Sequence, residues 1–151
     1  MAPDKTITAE NAARQDFMPV LRELARAYQA FAAYDAAGYR EAGLTGPQAD
    51  VIFTLGNTAG MTFKEIGEKT LITKGTLTGV IDRLEHKALV RRVAAEDDRR
   101  CTRVVLTPKG ERVFEREFPR QIAYLKKRFD GLTKTELKEA EQVLRRLRGI
   151  F

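Results

Sequence analysis

The chain is poor in the residues that covalent chemistry and cross-linking need. Its 151 residues include one cysteine and one histidine, Cys101 and His86. A lone cysteine can form no intrachain disulfide and anchors no cysteine-based zinc site. One histidine and one cysteine offer no nucleophile–base pair, so no enzyme, metal or cofactor is expected. Gly67-Glu-Lys-Thr70 has the end of a phosphate loop without its Gly-Lys pair or upstream glycine, and is rejected as one. No apolar run approaches a membrane span, and the N-terminus lacks a signal-peptide core. A soluble chain in a reducing, cytoplasmic setting is the expectation. There is no internal repeat and no low-complexity linker.

What is present is a foldable, basic chain. Apolar residues make up 43% of it, enough for a real core, and the length suits one domain or one domain with a helical extension. The net charge of +6 is unevenly placed: residues 1–60 carry 5 basic and 7 acidic side chains, whereas residues 61–110 and 111–151 each carry 11 basic and 7 acidic. Basicity that begins midway fits a partner lined with phosphates.

The stretch from Thr73 to Thr107 organises the rest. Leu77, Val80, Ile81 and Leu84 repeat at i, i+3, i+4 and i+7, one face of an amphipathic helix. Thr73, Lys74, Thr76 and Thr78 lie mostly off that face and are short enough for close approach. After it, Val90 and Val93 on one arm and Val104 and Leu106 on the other predict a β-hairpin whose tip, Glu96 to Arg100, carries only charge. A helix showing hydroxyls and a lysine suits a DNA major groove, and an arginine-tipped hairpin beside it suits a backbone or minor groove. Together these elements spell a winged helix-turn-helix.

Helix starts are written in capping residues. Thr45-Gly-Pro-Gln48, Thr62-Phe-Lys-Glu65 and Thr133-Lys-Thr-Glu136 are capping boxes, Thr73 caps the amphipathic helix, and Thr107-Pro108 is a cap followed by proline at the first helical position. Upstream, Asp16 is expected to cap a helix with Pro19 in its first turn. Its stripe of Phe17, Val20, Leu21, Leu24, Tyr28 and Phe31 runs to about Tyr39 and stops at Gly43. Val51, Ile52 and Leu55 face inward on the next helix, and Gly56-Asn57 stops it. Phe63, Ile66 and Leu71 face inward around the short one that follows, where Gly67 gives room for packing. Val113, Phe114, Ile122, Leu125 and Phe129 mark a long helix kinked at Pro119 and broken at Gly131, and Leu137, Ala140, Val143, Leu144 and Leu147 mark the last. The order is α-α-α-α-β-β-α-α: mainly α with a small β-wing.

The outer stripes exceed what one small winged head can cover. Left exposed they form a large apolar patch, which marks an interface. A two-fold dimer through the N- and C-terminal helices, using Phe17, Leu21, Ile122, Leu125, Leu144, Leu147 and Phe151, is expected. Residues 1–43 would be an N-terminal dimerisation helix, 44–107 the DNA-binding lobe and 108–151 the C-terminal dimerisation helices. Two recognition helices would then sit about one DNA turn apart on a pseudo-palindromic operator.

From about Leu44 to Gly110 the chain resembles the MarR (multiple antibiotic resistance regulator) family of bacterial transcription factors. The likeness is carried in order by Leu44-Thr-Gly-Pro-Gln48, Thr73-Lys-Gly-Thr-Leu-Thr78, Asp82-Arg-Leu-Glu85, Leu89-Val-Arg-Arg92, and Asp98-Arg-Arg100 followed by Val104-Val-Leu-Thr107 and Gly110. The resemblance implies a homodimeric regulator, a repressor or an activator, whose DNA affinity changes when a small aromatic carboxylate or phenol binds between the dimerisation helices and the DNA-binding lobe. Gly79 departs from it, standing where many relatives carry a longer base-contacting side chain, so readout would lean on Lys74, Thr76 and Thr78. Ala88 replaces a common glycine and would be strained if its φ is positive.

Candidate DNA contacts are therefore Thr73, Lys74, Gly75, Thr76, Thr78, Arg83, Asp98, Arg99 and Arg100. Arg100 would enter the minor groove with its guanidinium held by Asp98, and Arg99 would meet phosphate. Arg83 also has a structural alternative, pairing with acids inside the lobe. Candidate effector contacts are Tyr34, Tyr39, Arg40 and Phe53, with Arg14 or Arg22 as further carboxylate partners; an aromatic at helical spacing is equally a core residue. A different class of function also fits the composition: a winged-helix interaction module whose basic surface binds an acidic protein without sequence-specific DNA recognition.

Overall fold

A computed structural model describes residues 6–94 and 102–151. The chain divides into two compact units, residues 1–37 and 38–151. The first holds a 3-10 turn, Ala12–Arg14, and nearly all of α1, Met18–Gly38. Helix α1 begins two residues after Asp16, so Phe17 and not Asp16 precedes its first residue, and Pro19 falls in its first turn. No residue of α1 is buried.

The second unit begins at Gly38, the last residue of α1, and runs through Tyr39 into a 3-10 turn, Arg40–Ala42. The helix ends at Gly38, next to the Tyr39 to which its stripe was expected to run, and Gly43 closes the 3-10 turn that follows at φ 68. Then come α2 Gly46–Leu55, β1 Met61–Thr62, α3 Phe63–Lys69, α4 Lys74–His86, β2 Val90–Ala94, β3 Thr102–Leu106, α5 Pro108–Phe129 and α6 Lys134–Gly149. All three capping boxes form: Thr45, Thr62 and Thr133 accept the N–H of Gln48, Glu65 and Glu136, whose side chains reach back. Thr107 likewise accepts the Gly110 N–H at 3.0 Å. Helix α5 runs unbroken through Pro119.

The sheet has an unpredicted third strand. β1 is two residues long, too short to show a period, and pairs antiparallel with β3, giving the order β1-β3-β2. The hairpin register runs from Val90↔Leu106 to Ala94↔Thr102.

One core lies beneath these elements. Val51, Ile52 and Leu55 of α2, Ile66 of α3, Leu77, Val80, Ile81 and Leu84 of α4, Val90 and Val104 of the hairpin, and Phe114 of α5 are all buried in it. Phe114 stacks on Phe118, with ring centroids 5.2 Å apart, and Phe118 packs at 5.3 Å on Phe53. Burying each such side chain contributes on the order of 2 kcal/mol. Two inward assignments fail. Leu71 is 80% exposed, because the chain turns at Thr70 before the stripe of α3 can continue. Gly67 has open space where a Cβ would lie, so it accommodates no close neighbour.

The junction of α4, hairpin and α5 is tied by backbone. Ala88 takes φ 56, its N–H reaches the Glu85 carbonyl, and the Leu89 N–H reaches the Leu84 carbonyl. This is a Schellman cap with alanine in the position that favours glycine. The Thr107 hydroxyl donates to the Ala88 carbonyl at 2.6 Å, and the Lys109 ammonium to the Lys87 carbonyl at 2.9 Å. A Cβ on Gly110 would lie 2.0 Å from the Leu89 carbonyl oxygen, so α5 can start against β2 only at a glycine.

Candidate nucleic-acid interface

Helices α3 and α4 are joined by a turn that the buried Thr70 stitches. Its hydroxyl donates to the Ile66 carbonyl at 2.8 Å and accepts the Ile72 N–H at 3.4 Å. The α3 end is set by its cap. The Glu65 carboxylate accepts the Thr62 N–H at 2.7 Å and the Thr62 hydroxyl at 3.1 Å. These bonds hold the Glu65 pKa below the ordinary glutamate range, with Arg103 and Lys69 adding to the effect.

With its apolar face buried in the core, α4 presents Lys74, Gly75, Thr76, Thr78 and Arg83 as exposed residues. Thr73 occupies the N-cap position, but its hydroxyl donates to the Thr76 hydroxyl at 3.0 Å instead of accepting a backbone N–H. Gly75 and Gly79 have open space where a Cβ would sit, so no packing inside the protein demands them. A helix surface made of glycines and short threonines allows its backbone to come close to a flat or grooved partner. The N-terminus of the helix adds its own partial positive charge. At the other end, His86 Nδ1 lies 3.1 Å from the Asp82 carbonyl oxygen.

Arg83 lies on this surface as an exposed side chain and takes part in no ion pair among the described residues. Asp82 and Glu85 both pair with Arg92 of β2, at 2.5 and 3.3 Å. The Arg92 guanidinium also lies 5.4 Å from the centroid of the Phe63 ring. Arg92 is not among the contacts expected from sequence. The only hint is a pair of acids at i, i+3 on the helix followed by a basic strand, and the pairing itself needs the fold. On the neighbouring strand, Arg103 donates to the Gly60 carbonyl at 2.6 Å and stands 4.0 Å from Glu65. Asp98, Arg99, Arg100 and Cys101 lie outside the described residues.

The effector candidates are spread over both units. Tyr34 lies part-exposed on α1 in the first. In the second, Tyr39 is a buried core residue over α2, where a Cβ on Gly46 would lie 2.9 Å from its hydroxyl. Arg40 is exposed, and Phe53 is part-buried against Phe118. Sequence patterning missed the buried polar pair Glu117 and Gln121, one turn apart on α5, because only apolar residues were counted into that stripe. Arg116 bonds the Glu117 carboxylate at 2.6 Å, and Arg120 approaches it to 3.8 Å while pairing with Glu41. Of the residues assigned to an interface between copies, Phe17, Leu21, Ile122, Leu144 and Phe151 are exposed in the single chain, while Leu125 and Leu147 are part-buried.

Two capped helices set by a tight turn, the second showing a polar face, followed by a hairpin in a small antiparallel sheet, define a winged helix-turn-helix protein. A profile of the MarR family matches residues 42–100. YsmB, a helix-turn-helix transcriptional regulator of Bacillus subtilis, is 33% identical over 104 residues, which are 69% of this chain and 71% of that one. Among solved structures, BpsR of Bordetella bronchiseptica superposes with a TM-score of 0.77 at 28% identity, covering 89% of this chain and 96% of that one. AbsC of Streptomyces coelicolor, a MarR family regulator, superposes at 0.78 with 25% identity, covering 89% and 97%. The chain belongs to the MarR family of transcriptional regulators, which are DNA-binding proteins and not enzymes. Among the described residues no helix is long and apolar enough to cross a membrane.

Proposed function

We propose that this chain is a homodimeric, cytoplasmic repressor that binds a pseudo-palindromic operator and loses DNA affinity when a small aromatic or heteroaromatic acid or phenol binds. The observation that carries the DNA half is α4, whose apolar face is consumed by the core while Lys74, Gly75, Thr76, Thr78 and Arg83 stand exposed on it. In this reading, Thr76 and Thr78 meet base edges and methyl groups, Lys74 and the helix N-terminus meet phosphate, and Arg100 enters the minor groove with Asp98 holding it. Residues 44–107 are the DNA-binding lobe, and residues 1–43 and 108–151 supply the dimer contacts.

The dimer half is supported by the outer helices. α1 and α6 bury no residue, and Leu144 and Phe151 remain 55% and 91% exposed. Apolar surface on that scale is covered in solution, and a second copy is the simplest cover that also places two α4 helices on one duplex. The effector half is supported by kinship: the DNA binding of BpsR is regulated by 6-hydroxynicotinic acid. Tyr34, Tyr39, Arg40 and Phe53 are the residues proposed to meet such an acid here.

Titration with duplexes selected from a random pool, at rising salt, tests the proposal. A preferred near-palindrome bound by two chains, with a log–log salt slope of roughly −0.9 per phosphate contact, supports it. Equal affinity for every duplex would instead favour the acidic-partner module. For the effector, aromatic acids that weaken operator binding should also raise the melting temperature of the free protein, since a ligand that binds the folded state stabilises it.

A further inference from the structure

We propose that Arg92 is a positioning residue that sets the angle at which the β2–β3 hairpin leaves the outward face of α4. The inference rests on the reading of α4 and the hairpin as one DNA-binding surface and adds to it the part that keeps the two in register. Three elements meet at this one side chain. One guanidinium nitrogen bonds Asp82 at 2.5 Å, another lies 3.3 Å from Glu85, and the group sits 5.4 Å from the centre of the Phe63 ring at the start of α3. Arg92 pairs with Val104 in the sheet, at the outer limit of the buried root made by Val90, Val104 and Leu106. The core and β1 therefore hold the base of the hairpin as far as Val104, and among the described ion pairs those of Arg92 alone tie the hairpin to α4. The planar, forked guanidinium reaches the two carboxylates through different nitrogens while remaining beside the aromatic ring, a geometry that the compact ammonium of lysine does not reproduce.

The acids themselves argue for this role. Asp82 and Glu85 place two negative charges on the helix proposed to approach a polyanion, where they repel phosphate. Stability does not explain them either. The side chains of the network are 36%, 52% and 32% exposed, and ion pairs that open to water stabilise a fold very little. Holding the arginine that aims the hairpin is a role that requires both acids and requires them here.

The test turns on a sign. Simple electrostatics says that removing two acids near DNA tightens binding. The positioning role says that Asp82→Asn with Glu85→Gln weakens operator binding about tenfold, because a misaimed hairpin forfeits its contacts. Arg92→Ala and Arg92→Lys should weaken it comparably, with melting temperatures within about 3 °C of the parent, as expected for exposed pairs. Spin labels at Thr76→Cys and Ala94→Cys, in a Cys101→Ser background, report the angle without DNA. The distance distribution should be narrow in the parent and broaden when the acids or Arg92 are replaced. Binding that is unchanged or tighter in the acid-free variant overturns the proposal, as does weaker binding with an unaltered distance distribution. Should the parent prefer no duplex, the DNA reading falls and the spin-label distances alone decide: broadening upholds the positioning role and constancy ends it.

Discussion

In α4, a helix of 13 residues, Leu77, Val80, Ile81 and Leu84 are all buried, whereas in α6, a helix of 16 residues with an equally regular stripe, nothing is buried at all. Both begin at a threonine in the N-cap position, both alternate apolar and charged residues at helical spacing, and both belong to the second unit of the chain. The difference lies in what stands opposite. Against α4 lie α2, α3 and the hairpin, each contributing fully buried side chains such as Ile52, Ile66 and Val104. Leu144 and Val143 of α6 are each 55% exposed. An amphipathic stripe states that a face will be covered; it does not state by what. For α4 the cover is intramolecular and the polar side is the one left to work. For α6 the apolar side is left to work.

Substitutions at matched leucines can break this contrast. Leu84→Ala, at a fully buried site, should cost about 3 kcal/mol in chemical denaturation, independent of protein concentration. Leu144→Ala should leave the unfolding of the monomer almost untouched. In the proposed dimer it should weaken association by about 2 kcal/mol, roughly 30-fold in the dimer dissociation constant measured by sedimentation. Equal, concentration-independent losses at the two positions would show that α6 packs on its own chain as firmly as α4 does, and the reason for a second copy would vanish.

Local signals in the sequence were the ones that survived folding. The capping boxes at Thr45, Thr62 and Thr133 form because a hydroxyl and a carboxylate or amide three residues away need nothing from the rest of the protein. The buried face of α4 was equally legible, since four residues at helical spacing leave little choice of side. What depended on distant partners was not. Strand β1 is recruited by β3 and has no period of its own. Leu71 fits the apolar rhythm of α3, yet the turn at Thr70 throws it outward. Thr73 has the identity of a cap, but its hydroxyl finds Thr76 first. Arg92 could not be chosen from among the arginines of the hairpin until strand and helix were brought together. Glu117 and Gln121 are buried polar residues that patterning by apolar type passes over.

The cap of α4 offers a smaller change that sharpens the picture of the covered helix. Ala88 holds φ 56 in a complete Schellman arrangement, with Leu84 and Leu89 buried across it. A left-handed conformation costs an alanine about 1 kcal/mol that glycine does not lose. Ala88→Gly should therefore stabilise the lobe by about 1 kcal/mol, raising the melting temperature by about 3 °C. Operator affinity should stay as it was, because the cap faces the hairpin root and not the exposed polar face. A destabilised Ala88→Gly variant would show that rigidity of the unfolded chain outweighs the strain.

The smallest expected effect is an acid-side slope, and it separates the two helical regions once more. Glu65 in α3 and Glu136 in α6 are near-identical cap acids: each accepts the N–H and hydroxyl of its threonine, and those bonds hold each pKa below the ordinary glutamate range. A carboxylate with a lowered folded-state pKa binds its proton less readily in the folded chain than in the unfolded one. Its contribution is therefore complete above the ordinary glutamate range and is lost as pH falls through the lowered folded-state value. Glutamine retains an accepting oxygen but does not titrate, so each Glu→Gln variant should show a flatter stability–pH curve on the acid side. For Glu65→Gln the flattening should appear in the global unfolding of the lobe at any protein concentration. For Glu136→Gln it should appear only at concentrations where chains associate, because fraying of an uncovered α6 is decoupled from the core. A Glu136→Gln variant that flattens the monomer's acid limb as much as Glu65→Gln does would mean that α6 already unfolds together with α4, which the exposure of its apolar face argues against.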